Sequence, residues 1–333
     1  MTRRIVRLLA VALLGTACSD ALEQTSSAGQ YVGFITQDNF LLLLSATDLT
    51  QRLVQLESGT GTGQRLTARG SVFLASISGS ARVDVVDVAG NPDSVRRIPL
   101  GFDAIDAAMA DDSIAWVATS NGFVQRVNYR AGVLENGVFL GPIPAAVAFT
   151  AGRVFAVVNV GSANPSFVIV VDPIHMAVID TVRLTPAQAR LAVVGGDSLL
   201  YIVSSRAGPD SGKVSVVDPV GLQELVVING LGTGPAQALF HPAGSRLLVA
   251  SGFSGIQEVN TLTRTLTRPP SGAVQPNGNT VLGMAIDQVE RIYAADSSCA
   301  VDVLRPPPDY SVRNVVAAQG LHCPTYAAVA TKP

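Results

Sequence analysis

The sequence predicts an all-β chain folded as a seven-bladed β-propeller of four-stranded antiparallel blades, on three observations. The first is a period. Seven short strand-like runs end at Asp48, Asp87, Asn128, Asp172, Asp218, Asn260 and Leu304, in steps of 39, 41, 44, 46, 42 and 44 residues. A four-stranded blade needs roughly 40–45 residues. The second is the content of one period, in which four strand signals alternate with turn signals. The third is that the two ends of the chain are complementary fragments of one blade.

The period from Lys213 to Gly252 displays the elements in order. Val214-Ser215-Val216-Val217-Asp218 is a β-branched strand closed by Asp, and Glu224 to Ile228 follows it as another. Gly234 to Phe240 alternates small and apolar residues, as a strand near a crowded axis must. His241-Pro242-Ala243-Gly244 is a tight turn, because Pro fixes φ and Gly accepts positive φ. Arg246 to Ala250 then gives a strand rich in Leu and Val. Strands of this last kind recur at Ser71–Ala75, Ile114–Ala118, Arg153–Val157, Leu199–Val203 and Arg291–Ala295. They are apolar at nearly every position, which places them in the middle of packed sheets.

Tyr31 to Thr36 reads as a second strand with no first strand before it, and Pro324 to Ala330 as a first strand with no second after it. Together they complete one blade, so the ring closes without an exposed edge. The propeller is thus expected to span residues 30–333. Residues 213 to 252 resemble the YVTN family of β-propeller repeats. That family combines a V-x-V-I-D strand, a G-x-x-P-x-x-x-A strand, a P-D-G turn and a V-Y-V-A-N strand. The matching residues are Val214 to Asp218, Gly232 to Ala238, Pro242-Ala243-Gly244 and Leu247 to Ser251, with Ala243 in place of the turn Asp. The resemblance implies a propeller and leaves activity open.

The amino-terminal stretch reads as an export signal over residues 1–17. Arg3, Arg4 and Arg7 precede an apolar run from Leu8 to Leu14, too short to span a bilayer. Leu14-Gly15-Thr16-Ala17-Cys18 resembles the bacterial lipobox, which implies cleavage before Cys18 and lipidation of its thiol. Ser19 rather than Asp follows, which by analogy with the enteric sorting rule implies an outer-membrane lipoprotein of the cell envelope. Residues 18–29 are small and polar and read as a flexible tether. With 14% charged residues and a net charge of −2, the chain has no basic stripe for nucleic acid.

Cys299 and Cys323 are the thiols left after lipidation. Export favours oxidation, and the repeat places both on one face of the disc, so a disulfide is expected. Free thiols, or a metal site with His322, are the alternatives. His175 and His241 fall in turns on the other face, so the three histidines cannot share a metal. Asp48, Asp87, Asp172, Asp218, Asn128 and Asn260 are read as caps that accept backbone N–H groups in the turn after the strand. Asp103, Asp106 and Arg190 lie nearest the first strands and are read as solvated strand ends. The run Gly59 to Gly63 lacks the Lys and helix of a phosphate loop, and no G-x-S-x-G elbow occurs. No catalytic, cofactor or metal residues are therefore assigned.

The expected function is a lipid-anchored, non-catalytic binding or scaffolding protein that touches the membrane through Cys18 and takes a protein partner. The long connections Asn159–Asn164, Ser204–Gly212 and Pro269–Thr280 make the Cys323 face its binding surface. The alternative is a periplasmic or surface propeller enzyme of metal-assisted lyase or lactonase type, with its site in the central channel.

Overall fold

The computed structural model describes residues 29–56, 63–77, 79–91, 94–160, 166–185, 187–205 and 212–332. The signal, Cys18, the tether and most of the Gly59 to Gly63 run lie outside them. The described residues form seven four-stranded antiparallel sheets arranged as blades around an axis. The innermost strands, from blade 1 to blade 7, are Pro324–Thr331, Gly63–Arg69, Ala104–Met109, Pro144–Thr150, Gln188–Val194, Gln237–Phe240 and Val281–Ile286. Each contacts the next around the ring, and the seventh contacts the first.

Blade 1 closes the ring. Its innermost strand pairs antiparallel with Gln30–Thr36, with Tyr31 opposite Ala330 and Phe34 opposite Ala327. The two incomplete strands expected from the chain ends are thus one pair.

Burial follows strand position. The second strands Val72–Ile77, Ile114–Thr119 and Leu200–Ser205 are buried at every residue. The outermost strands Val133–Phe139 and Ala177–Arg183 are exposed at all but one. The hydrophobic core is divided into seven clusters, each lying between two adjacent blades. Phe73 and Ile35 join blades 1 and 2, Trp116 and Val154 join blades 3 and 4, and Tyr293 and Phe34 join blades 7 and 1. A blade therefore has no core of its own. Its two faces are halves of two shared cores, which makes stability a sum over neighbours.

In six of the seven blades the register between first and second strands slips by one residue near the start of the first strand. Such a bulge bends and twists the strand, and its repetition fits it to the tapering axis. At the closing seam the approach is closer still. A Cβ on Gly283 of blade 7 would lie 1.9 Å from the Thr325 carbonyl oxygen of blade 1, so only Gly fits.

The six Asp and Asn caps behave as expected. Their Oδ1 atoms accept the backbone N–H groups of Thr50, Ala89, Ala131, Ile174, Val220 and Leu262 at 2.7–3.1 Å. Cys299 and Cys323 form a disulfide with a Cα–Cα distance of 4.3 Å. It ties the turn between the second and third strands of blade 7 to the residue before the closing strand, so neither cysteine is a free thiol or metal ligand.

The bond closes a loop of 24 residues, for which chain entropy gives roughly 3 kcal/mol. Cys323→Ser is expected to lower unfolding free energy by about that amount in chemical denaturation. Maleimide is expected to label Cys299 and Cys323 in the unfolded wild-type chain only after reduction.

Candidate functional site

Two regions could carry function: the central channel and the face that bears the disulfide. The channel holds a cavity of 480 Å³ whose wall is mainly Ala, Val and Leu from the innermost strands. Small residues prevail because seven strands converge there. Besides the Thr67 hydroxyl, four larger polar side chains interrupt the apolar wall: Arg65, Asp106, Gln237 and Tyr326.

Asp106 corrects the expectation of a solvated strand end. It follows the bulge of blade 3 directly, is 9% exposed, and accepts the Val147 N–H of blade 4 at 2.9 Å. Burial raises its pKa, although the nearby Arg65 charge and the backbone hydrogen bonds act the other way. Arg65 Nε lies 3.9 Å from Asp106 Oδ1, and its guanidinium carbon lies 4.6 Å from the Tyr326 ring centroid. Neither Asp103 nor Arg190 lines the cavity. Asp103 is half-buried and accepts the Ala81 N–H at 3.3 Å, while Arg190 is exposed and its Nε donates to Ser205 Oγ.

Gln237 is the most engaged of the four. Its Oε1 accepts the N–H groups of Met284 in blade 7 and Ala327 in blade 1, both at 3.0 Å, and its Nε2 donates to the Ala327 carbonyl at 2.5 Å. One carboxamide thus spans three blades. Gln237 and Asp106 do equivalent work, each accepting a backbone N–H of the following blade. Each lies five residues after a repeat glycine, Gly232 and Gly101. That offset was the signal available in the sequence. Arg65 and Tyr326 carried no comparable signal, since their meeting depends on how the blades are placed around the axis.

The disulfide face is built from the turns between second and third strands and from the blade-to-blade connections. Of the three long connections, Pro269–Thr280 lies wholly among the described residues. It contains two short 3-10 turns, Pro270–Gly272 and Pro276–Gly278. Asn277 Nδ2 donates to Asp302 Oδ1 at 2.6 Å and Asn279 Nδ2 to Asp296 Oδ2 at 2.8 Å. His322 is here too, its Nδ1 on Asp38 Oδ2. Burial opposes ionisation of Asp38, but hydrogen bonds from Thr36 and His322 outweigh it and lower its pKa.

Exposed large apolar side chains occur on both faces, aliphatic on the opposite one at Ile174, Val220 and Leu262, whereas the exposed phenylalanines among the described residues all lie on this face. Phe102 and Ile143 lie in blade-to-blade connections, Phe139 ends the outermost strand of blade 3, and Phe253 lies in a turn of blade 6. They are 49%, 56%, 59% and 88% exposed. His175 and His241 are on the opposite face, as expected. His175 Nδ1 meets Asp172 Oδ2 at 2.6 Å, and that bond with two backbone N–H groups holds Asp172 at a pKa of about 2. His241 is buried, which lowers its pKa. Among the described residues no group of three or more His, Cys, Asp and Glu is arranged to hold a metal ion.

Known structures agree with this geometry. The chain is similar to a functionally unknown protein from Desulfotomaculum acetoxidans, with a TM-score of 0.67 and 13% identity over 91% of this chain and 99% of that one. It is also similar to Kuenenia stuttgartiensis hydrazine synthase, with a TM-score of 0.62 and 13% identity over 77% of this chain and 86% of that one. The likeness is one of fold. At this identity it carries no activity across. No family model and no curated protein matches the sequence.

Replacing Gln237 with Ala leaves the Met284 and Ala327 N–H groups without their acceptor at the closing seam. A loss of about 2–4 kcal/mol is expected from two stranded donors, measured by urea denaturation. Gln237→Glu keeps the acceptor oxygens and is expected to retain more stability than Gln237→Ala.

Proposed function

We propose that this protein is a lipid-anchored propeller of the cell envelope, a non-catalytic binding or scaffolding protein whose disulfide face docks a protein partner. The observation that carries the docking reading is the exposure of Phe102, Phe139, Ile143 and Phe253 on the face that also bears the long connections. Aromatic and large aliphatic side chains are what protein interfaces use as anchors. A rigid ring supports the connections from below. The channel supports the same reading, because Asp106 and Gln237 are committed to backbone N–H groups of neighbouring blades.

The anchor reading rests on Leu14 to Cys18 and the Arg-flanked apolar run before it. Two or three acyl chains on Cys18 hold a protein stably at a bilayer, whereas a single chain does so only marginally. The outer membrane is the bilayer favoured by Ser19. The competing reading, a channel enzyme, draws on the buried Asp106 beside Arg65 in the 480 Å³ cavity.

Cys18→Ala is expected to abolish radiolabelled palmitate incorporation in a bacterial host and to leave the uncleaved precursor. Unchanged labelling would remove the anchor from the proposal. Mild crosslinking in cells, followed by purification of the tagged full chain, is expected to recover one envelope protein in stoichiometric yield. The double variant Phe139→Ser, Ile143→Ser is expected to lose it at least tenfold with an unchanged melting temperature. A solitary product from the wild type would overturn the docking reading and favour channel chemistry.

A further inference from the structure

Blade 7 buries two carboxylates side by side. Asp302 on its third strand stands opposite Ala294 on the second, and Asp296 follows Ala294 by two residues. The side chains of Asp296 and Asp302 therefore leave the same face of the sheet as diagonal neighbours, within reach of one another. Both residues are 0% exposed.

The two are satisfied unequally. Asp296 Oδ1 accepts the Ser298 and Ala300 N–H groups and the Ser298 hydroxyl at 2.7–3.0 Å, and its Oδ2 takes the Asn279 amide. Asp302 Oδ1 takes the Asn277 amide, but its Oδ2 is buried with no hydrogen-bond partner. A buried carboxylate oxygen without a partner is costly. Beside a second carboxylate, repulsion adds to that cost. Burial first and the Asp296 charge second push the Asp302 pKa up to about 6. The arrangement lacks a positive charge between its oxygens.

Asn277 and Asn279 close the cluster from the Pro276–Gly278 turn. Asn277 is exposed and held at a φ of 49°. A carboxamide presents a donor or an acceptor by a half-turn about its last bond. Each Asn can thus exchange the N–H now given to a carboxylate for an oxygen turned inward. We infer that Asp296, Asp302, Asn277 and Asn279 form a binding site for one hard divalent cation, Ca²⁺ above others. All the donors are oxygens, with no thiolate or imidazole to favour zinc. The loop supplying two of them is adaptable, and Ca²⁺ tolerates irregular coordination completed by water where Mg²⁺ requires an octahedron.

The position gives the ion a structural consequence. Asp296 shapes the turn that carries Cys299, and Cys299 holds Cys323 ahead of the closing strand. A bound ion would brace the Pro269–Thr280 connection, this turn and the ring seam together. The site does not depend on the docking reading and stands or falls separately.

The test uses the full chain in detergent, stripped with EDTA and exchanged into chelator-free buffer at pH 7.5. Calorimetric titration with CaCl₂ is expected to give one ion per chain, with MgCl₂ binding at least tenfold more weakly. Thermal unfolding is expected to shift up by about 5 °C at a 100-fold excess over the dissociation constant. Asp302→Asn is expected to abolish the shift while melting no lower than the stripped wild type, because it removes a buried charge. Asn277→Gly, which accepts the positive φ, is expected to weaken Ca²⁺ at least tenfold, and its Ca²⁺-induced shift is read against its own cation-free melting temperature. An absence of heat and of shift in the wild type overturns the site, as does a full Ca²⁺ response in Asp302→Asn. A wild type whose stability follows pH through 6 but ignores Ca²⁺ also overturns it, since a proton would then bridge the pair.

Discussion

Everything in this molecule depends on the pairing of its two ends. Without Pro324–Thr331 beside Gln30–Thr36, blade 1 has three strands and no innermost member. The two cores that flank it then lose Ala327 and Ala330. A propeller has no independent blades to fall back on, because each cluster is shared by neighbours. The contact joins residues about 300 positions apart, but closure entropy grows only with the logarithm of loop length. The six preceding interfaces already bring the ends together, and the Cys299–Cys323 bond holds the closing strand close to blade 7.

The same constraint explains the chemistry of the axis. Seven innermost strands must approach one another while their backbone N–H groups still find acceptors. Small residues and bulges permit the approach, and Gly283 is the extreme case. Acceptors then come from side chains, Asp106 for blade 4 and Gln237 for blades 7 and 1. Polar residues in a propeller channel can therefore be structural ties between blades. Arg65 and Tyr326 complete the polar ring by charge and by stacking, across 3.9 Å to Asp106 and 4.6 Å between themselves.

The face opposite the axis problem is the one free to vary. Connections there give the cores a residue at their first position, as Leu56, Leu100 and Leu184 do. Beyond it this face can expose Phe102, Ile143 and Phe253 or bring Asn277 and Asn279 over the carboxylates of blade 7. One clasp, the disulfide, lies on this same face. Its turn is ordered by Asp296, which links the variable surface to the closing seam.

The sequence by itself determined the blade count, the strand content, the closure of the ring by its own ends, the capping role of the Asp and Asn residues, and the face shared by Cys299 and Cys323. These are local or periodic properties. A strand end, a turn and a repeat spacing are written in adjacent residues, and antiparallel alternation then fixes which turns share a face. Tertiary structure decided what each inward polar residue does. Asp106 reads as a soluble strand end until the bulge before it and Val147 of the next blade are in place. Asp296 and Asp302 are ordinary strand residues in the sequence. Only the pairing of their strands, and a loop from the preceding connection folded over them, turns them into a buried pair. Such roles depend on distances between blades, and those are set by packing around the axis rather than by any single repeat.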